Sequence, residues 1–195
     1  MILVDILQAI KERRSTQLFY PEEVDDSILK AIFTYGSWAP SHYMKESWNI
    51  KLYQEKGKQR LVDAIISSYQ RIGLLKQEED PKTEHMIMSM RAFLLEIPHH
   101  ALVYFPIDPD PIRYEEDYAS VCAFIQNMQL AAWSYRVGML WTITPYMHDH
   151  GFARDVGLDS EKMKIAAVMQ IGYPKQTSRN KGRTPIEQKL EIIRE

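Results

Sequence analysis

Ala101-Leu102-Val103-Tyr104-Phe105 is a short continuous apolar run, the pattern of a central strand covered on both faces rather than of an edge strand with one face in water. Upstream of it, Trp48, Ile50 and Leu52 alternate with Asn49, Lys51 and Tyr53, as in a strand with one face on the core. Downstream, Ile165-Ala166-Ala167-Val168-Met169-Gln170-Ile171 reads as a further strand, and Met139-Leu140-Trp141-Thr142-Ile143-Thr144 runs into Pro145.

Helical periodicity fills the intervals. Ile2, Leu3, Ile6, Leu7 and Ile10 recur on one face, with Asp5, Gln8, Lys11 and Glu12 opposite, which predicts a first helix ending near Arg14. Pro21 and the acidic residues after it open a second helix, with Ile28, Leu29, Ile32 and Phe33 as its buried stripe and its end near Gly36. Leu61/Val62 and Ile65/Ile66 mark a helix within 58–76, and a Met-rich helix from Glu84 to about Glu96 is ended by Pro98. The stretch from Pro106 to Asp110 reads as loop. Tyr118 to Val137 is expected to be the longest helix, apolar around much of its circumference and ended by Gly138, and a short helix is expected near His150 to Val156. Strands separated by helices, without hairpin signals, predict an α+β or three-layer α/β architecture in a single domain spanning 1–195.

Composition narrows the function. With 195 residues, 45% of them hydrophobic, the chain can bury a full core. A formal net charge of -2, with the basic residues dispersed, gives no general attraction to nucleic acid or to an anionic membrane. Nothing approaches a membrane-spanning segment, and a single cysteine, Cys122, without a secretory signal favours the cytoplasm. The pairs His99-His100 and His148/His150 have no third ligand at suitable spacing, so no metal is expected. Neither a G-x-G-x-x-G turn nor a P-loop is present.

Two basic clusters remain: Glu12-Arg13-Arg14-Ser15 at the end of the first helix and Lys181-Gly182-Arg183 near the other terminus. A phosphate monoester carries close to two negative charges, which the fork of an arginine meets two oxygens at a time while a hydroxyl and backbone N–H groups take the rest. A fold that brings the two clusters together therefore clasps a phosphate-bearing cofactor. The competing reading makes Arg13 and Arg14 complements of a helix C-terminus and the tail cations solvated charges.

The run Ala9-Ile10-Lys11-Glu12-Arg13-Arg14-Ser15, the loop Trp38-Ala39-Pro40-Ser41 ending in Trp48, Gln126-Asn127 in the long helix before Gly138, then Trp141, Gly172-Tyr173-Pro174 and Lys181-x-Arg183-x-Pro185 together resemble the nitroreductase family, in this order and over essentially the whole chain. His42 is nearest to the family's compact short-chain branch. The resemblance implies a homodimer of three-layer α/β/α subunits with a central, mostly antiparallel sheet and two FMN molecules at the interface. It assigns the FMN phosphate to Arg13, Arg14, Ser15, Lys181 and Arg183. Ser41, His42 and Glu46 are to reach the ring from the partner subunit, and Trp141, Thr142, Ile143 and Thr144 are to present backbone and side-chain groups to it. It further implies hydride transfer from NADH or NADPH to nitro compounds, quinones or other electron-poor acceptors in a ping-pong cycle, with the chemistry on the flavin and no protein group as acid, base or nucleophile. Met44, Glu46 and Ser47 stand where the commoner loop has Asn, Gln and Pro. An amide donates and accepts at the flavin edge, whereas a carboxylate only accepts and opposes an anionic reduced ring. A flavin-binding sensor or carrier without efficient turnover is the alternative. Trp38 and Trp48 are expected to pack in the core rather than touch substrate.

Overall fold

The computed structural model describes residues 5–76, 81–176 and 182–195. Its elements are α1 (Ile6–Glu12), α2 (Asp26–Gly36), β1 (Asn49–Tyr53), α3 (Gly57–Arg71), α4 (Pro81–Glu96), β2 (His99–Pro106), α5 (Pro111–Ser134), β3 (Gly138–Thr142), α6 (His150–Asp155) and β4 (Met163–Gly172). The four strands form one sheet in the order β1-β2-β4-β3, each neighbouring pair antiparallel.

The run 101–105 lies inside β2, and alternation sends its side chains to both faces. Ala101, Val103 and Phe105 join Leu29 and Ile32 of α2 and Val121, Phe124, Ile125 and Met128 of α5 in one core. Leu102 and Tyr104 join Leu61 and Ile65 of α3 and Phe152 and Ala153 of α6 in the other. Helices on both sides of a sheet make three layers, as expected. The register slips between Val103 and Tyr104, which face Ala167 and Ile165, so Ala166 is an unpaired extra residue in β4.

Three expectations are corrected. The long helix starts at Pro111, not near Tyr118: Asp110 caps it, its carboxylate accepting from Ile112 N–H at 2.9 Å. Proline at the first helical position needs no N–H and has the right φ already, so Asp-Pro here begins a helix. The apolar stripe of α1 is not covered among the described residues: Ile6, Leu7 and Ile10 are all exposed, Leu7 by 72%, and Ala9 is the buried residue of the helix. Trp38 is 80% exposed instead of packed in the core, whereas Trp48 stacks on Phe124 with ring centroids 5.1 Å apart.

The histidines singled out above have local partners. His99 Nε2 accepts from Val24 N–H at 2.8 Å. His100 Nε2 lies 2.9 Å from the Leu94 carbonyl, and burial pushes this ring down to about 4. Asp149 caps α6 and accepts from Ser68 Oγ at 2.6 Å and Arg71 Nε at 3.0 Å, while His150 Nδ1 lies 2.8 Å from Ser160 Oγ. No helix among the described residues is long and apolar enough to cross a membrane.

Candidate functional site

Leaving α1 through Arg13, the chain turns extended and lies against the free side of β3. Ser15 pairs with Met139 in a parallel bridge, and Thr16 N–H donates to the Met139 carbonyl at 3.0 Å. Glycine is required at 138 for this approach, because a Cβ there would run into the side chain of Thr16. The contact fixes where Arg13, Arg14 and Ser15 stand.

Arg13 is half-buried, and its Nη1 donates to Gln129 Oε1 of α5 at 3.2 Å. Its Nε is buried without a hydrogen-bond partner. Arg14 Nη1 donates to the carbonyls of Lys11 (2.8 Å) and Arg13 (2.7 Å), which ties that side chain to the end of α1. Among the described residues no carboxylate pairs with either guanidinium. Burial, then repulsion from Arg14, then repulsion from Arg183 holds Arg13 below the usual arginine value. A guanidinium does not give up its proton in a protein, so burial first and the neighbouring cations second disfavour a charge that a bound anion would stabilise. The tail thus returns to the first helix, and Arg183 adds its charge to the pair. Gln129, Trp133, Val137 and Met139 complete a shallow cleft with the two arginines. Lys181 lies outside the described residues.

Beyond Met139 the other side of β3 pairs only with β4. Trp141 packs into the first core with its Nε1 buried and unpartnered, and Thr142 Oγ1 donates to the Val168 carbonyl at 2.7 Å. Thr144 stands against the hydroxyls of Tyr69 and Tyr146, the latter pushed up to about 12 by burial. Of the four residues expected to face a ring, Ile143 alone is a large exposed apolar group. The Thr142 hydroxyl is committed to the sheet, so this segment offers its edge backbone and Ile143 rather than that hydroxyl.

The loop 41–46 stands at the other half of α5. Ser41 Oγ accepts from Glu46 N–H at 2.8 Å, and His42 Nδ1 lies 3.2 Å from Glu116 Oε1. Tyr43, Met44 and Glu46 have φ of 52°, 55° and 47°, a left-handed conformation that costs a non-glycine residue about 1 kcal/mol or more. Tyr43 is 94% exposed, and Met44, His42 and Glu46 also face solvent. Glu116 and Gln129 are thirteen residues apart on one helix, roughly 20 Å at 1.5 Å per residue. The chain therefore brings Arg13, Arg14, Ser15 and Arg183 to one place and leaves Ser41, His42 and Glu46 at another.

The sequence reading missed Gln129, Lys45, Ser47 and Asp117. A polar residue in the apolar body of α5 was the available signal for Gln129, which is buried and so needs a partner.

A four-stranded antiparallel sheet between helical layers, with a shallow cleft lined by Arg13 and Arg14, defines a class of α+β subunit. The family model described as Nitroreductase family matches residues 10–173, and the chain belongs to that family. YfhC of Bacillus subtilis, an NAD(P)H nitroreductase by name, is 29% identical over 182 residues, covering 93% of this chain and 90% of its own. The crystal structure of a nitroreductase-like family protein from Bacillus cereus superimposes with a TM-score of 0.86 at 36% identity, covering 99% of this chain and 98% of its own. The FMN-dependent nitroreductase NfnB from Mycobacterium smegmatis, solved in complex with NADPH, shares the fold with a TM-score of 0.71 at 17% identity, over 97% of this chain and 100% of its own.

Proposed function

We propose that this chain is a single-domain, FMN-dependent NAD(P)H oxidoreductase of the cytoplasm, acting on nitro compounds, quinones or other small electron-poor acceptors. The observation that carries the reading is that Arg13 and Arg14 line one cleft within reach of the charge of Arg183, with no carboxylate against the first two among the described residues and with Arg13 Nε buried and unpartnered. These residues fit a phosphate: its charge relieves the repulsion, and its oxygens supply the missing acceptor. Arg13, Arg14 and Arg183 hold it, with the exposed Ser15 hydroxyl beside them. When bound, FMN supplies hydride acceptance and donation.

The rest of the work belongs to the chain. With FMN bound, the free side of β3 beyond Met139 would offer backbone groups to it, and the exposed Ile143 would supply apolar surface beside it. Gln129, anchored in α5, keeps the Arg13 fork turned toward the cleft. No acid or base is asked of the protein: Cys122 is held as a thiol by burial, and His99 and His100 are buried in the sheet. Nicotinamide and acceptor would share one site in turn, which is the ping-pong order.

The loop 41–46 stands too far along α5 to cover the cleft of its own chain, so a second copy supplies it and the active form is a homodimer. The exposed Ile6, Leu7 and Ile10 of α1 and the exposed Ile186, Leu190, Ile192 and Ile193 of the tail are apolar surface for that contact. The carboxylate of Glu46 favours the second reading, a flavin-binding sensor or carrier, because it disfavours a reduced anionic ring. An absorbance spectrum of the isolated protein, followed by anaerobic NADH or NADPH, tests both. Bound flavin bleached within the mixing time and reoxidised by a nitroarene or quinone is the expected result. A colourless protein that takes up no FMN refutes the function, and bound flavin that stays oxidised leaves the sensor.

A further inference from the structure

We propose that Asp117 is a positioning residue for this reaction, holding the loop 41–47 in the shape in which it is handed to a neighbouring subunit. The inference rests on the function proposed above. Asp117 is a buried carboxylate on α5, and both of its oxygens are taken by the loop: Oδ2 accepts from Lys45 Nζ at 2.6 Å and Oδ1 from Ser47 Oγ at 2.6 Å. Lys45 Nζ also reaches Asp108 Oδ2 at 3.2 Å, and the preceding residue of α5, Glu116, meets His42. The hydrogen bond to Asp117 is the largest influence raising Lys45 above the ordinary lysine value.

The loop needs such a clamp. Tyr43, Met44 and Glu46 are held left-handed, and the side chains of Tyr43 and Met44 project into solvent, the Tyr43 ring lying against that of His42 within the same loop. Strained backbone persists only where its surroundings over-determine it. Here the surroundings are Ser41 Oγ inside the loop, and Glu116, Asp117 and Asp108 beneath it. A buried carboxylate with its partners is a poor source of stability, since well-packed apolar residues serve as well or better. What it supplies is a fixed geometry, and what that geometry aims is His42 and Glu46.

Because Lys45 and Asp117 act as one strap, their replacements should not add. The experiment uses FMN-loaded wild type, Asp117→Asn, Lys45→Met, the double variant and Lys45→Arg. Steady-state kinetics with NADH or NADPH and hydrogen exchange over 41–47 are measured. Asp117→Asn and Lys45→Met should each raise KM for the nicotinamide roughly tenfold with a smaller change in kcat, as a misplaced binding group does. Each should also speed exchange in the loop while the phosphate end keeps FMN bound. The double variant should match the single ones, and Lys45→Arg should restore wild-type values. Additive effects in the double variant, or unchanged KM with faster exchange, overturn the assignment while the function stands. Failure of wild type to take up FMN overturns the function, and this proposal with it. Lys45 is on the surface, so Lys45→Met keeps the test valid if Asp117→Asn does not fold.

Discussion

At its C-terminal half α5 meets α1 through Gln129 and Arg13, beside a backbone bridge to β3 and a close glycine contact. At its N-terminal half it meets the loop 41–47 through Glu116 and Asp117, and the residues beyond those anchors stand in water with left-handed backbone. The first region is half-buried and held by packing. The second is exposed and held by charge. A surface that is strained, aromatic and well anchored is shaped for something outside its own chain, whereas a cluster of half-buried cations is shaped for something inside it. On the function proposed above, the anion belongs at one end of α5 and the neighbouring subunit at the other.

The largest test of that division is Arg13→Ala. With charge-assisted hydrogen bonds of about 2 kcal/mol each and two lost, FMN affinity should fall about a thousandfold. Lys11→Ala, whose contribution to Arg14 is a backbone carbonyl, should leave it within about twofold. Flavin release on dialysis checks both, and equal retention refutes the phosphate assignment.

The sheet between the two ends has its own weakness. His100 is buried in the fold with its value lowered to about 4, so between that pH and the ordinary 6.5 the unfolded chain binds a proton that the folded chain does not. Stability should therefore rise with pH across this window, and acidification from 6.5 to 4 should remove about 3 kcal/mol. Denaturation midpoints at several pH values, with His100→Gln as the variant that flattens the slope, measure it. An unchanged slope in the variant removes His100 as the cause.

At the charged end the effects are smaller. Glu46→Gln should raise the flavin reduction potential by about 30 mV, equivalent to about 1.4 kcal/mol for two electrons. A redox titration giving the wild-type value would place Glu46 away from the ring. Met44→Gly relieves a left-handed residue and should stabilise the protein by no more than about 1 kcal/mol. A lower melting temperature instead would show that Met44 packs against a neighbour.

Much of this fold could be read from the chain because periodicity reports which faces are apolar. The run 101–105 sits in a doubly covered strand, and 165–171 in another. Periodicity does not report which molecule covers a face: Ile6, Leu7 and Ile10 are spaced as a buried stripe, yet among the described residues nothing buries them. Trp38 fails for the same reason, since an indole costs little to predict as core and its exposure depends on a loop whose shape no local pattern encodes. The start of α5 was hidden because the stretch from Pro106 to Asp110 reads as loop, although Pro111 follows a capping aspartate. At the candidate site, residue types pointed to Arg13, Arg14 and Arg183 because two short groups of cations near opposite ends of the chain, one followed by a serine, are conspicuous in sequence. Lys45, Ser47 and Asp117 were not visible, because an ion pair across seventy residues leaves no local trace.

Both halves hang on one uninterrupted rod of 24 residues, Pro111–Ser134. A rod of this kind is also a gauge. Inserting a single residue between Phe124 and Gln126 would advance everything after it by about 1.5 Å and turn it by about 100°, swinging Gln129 off Arg13 while leaving Asp117 on Lys45. Deletions would err in the opposite sense. The helix interior is thus expected to accept exchanges of side chain but no change in length.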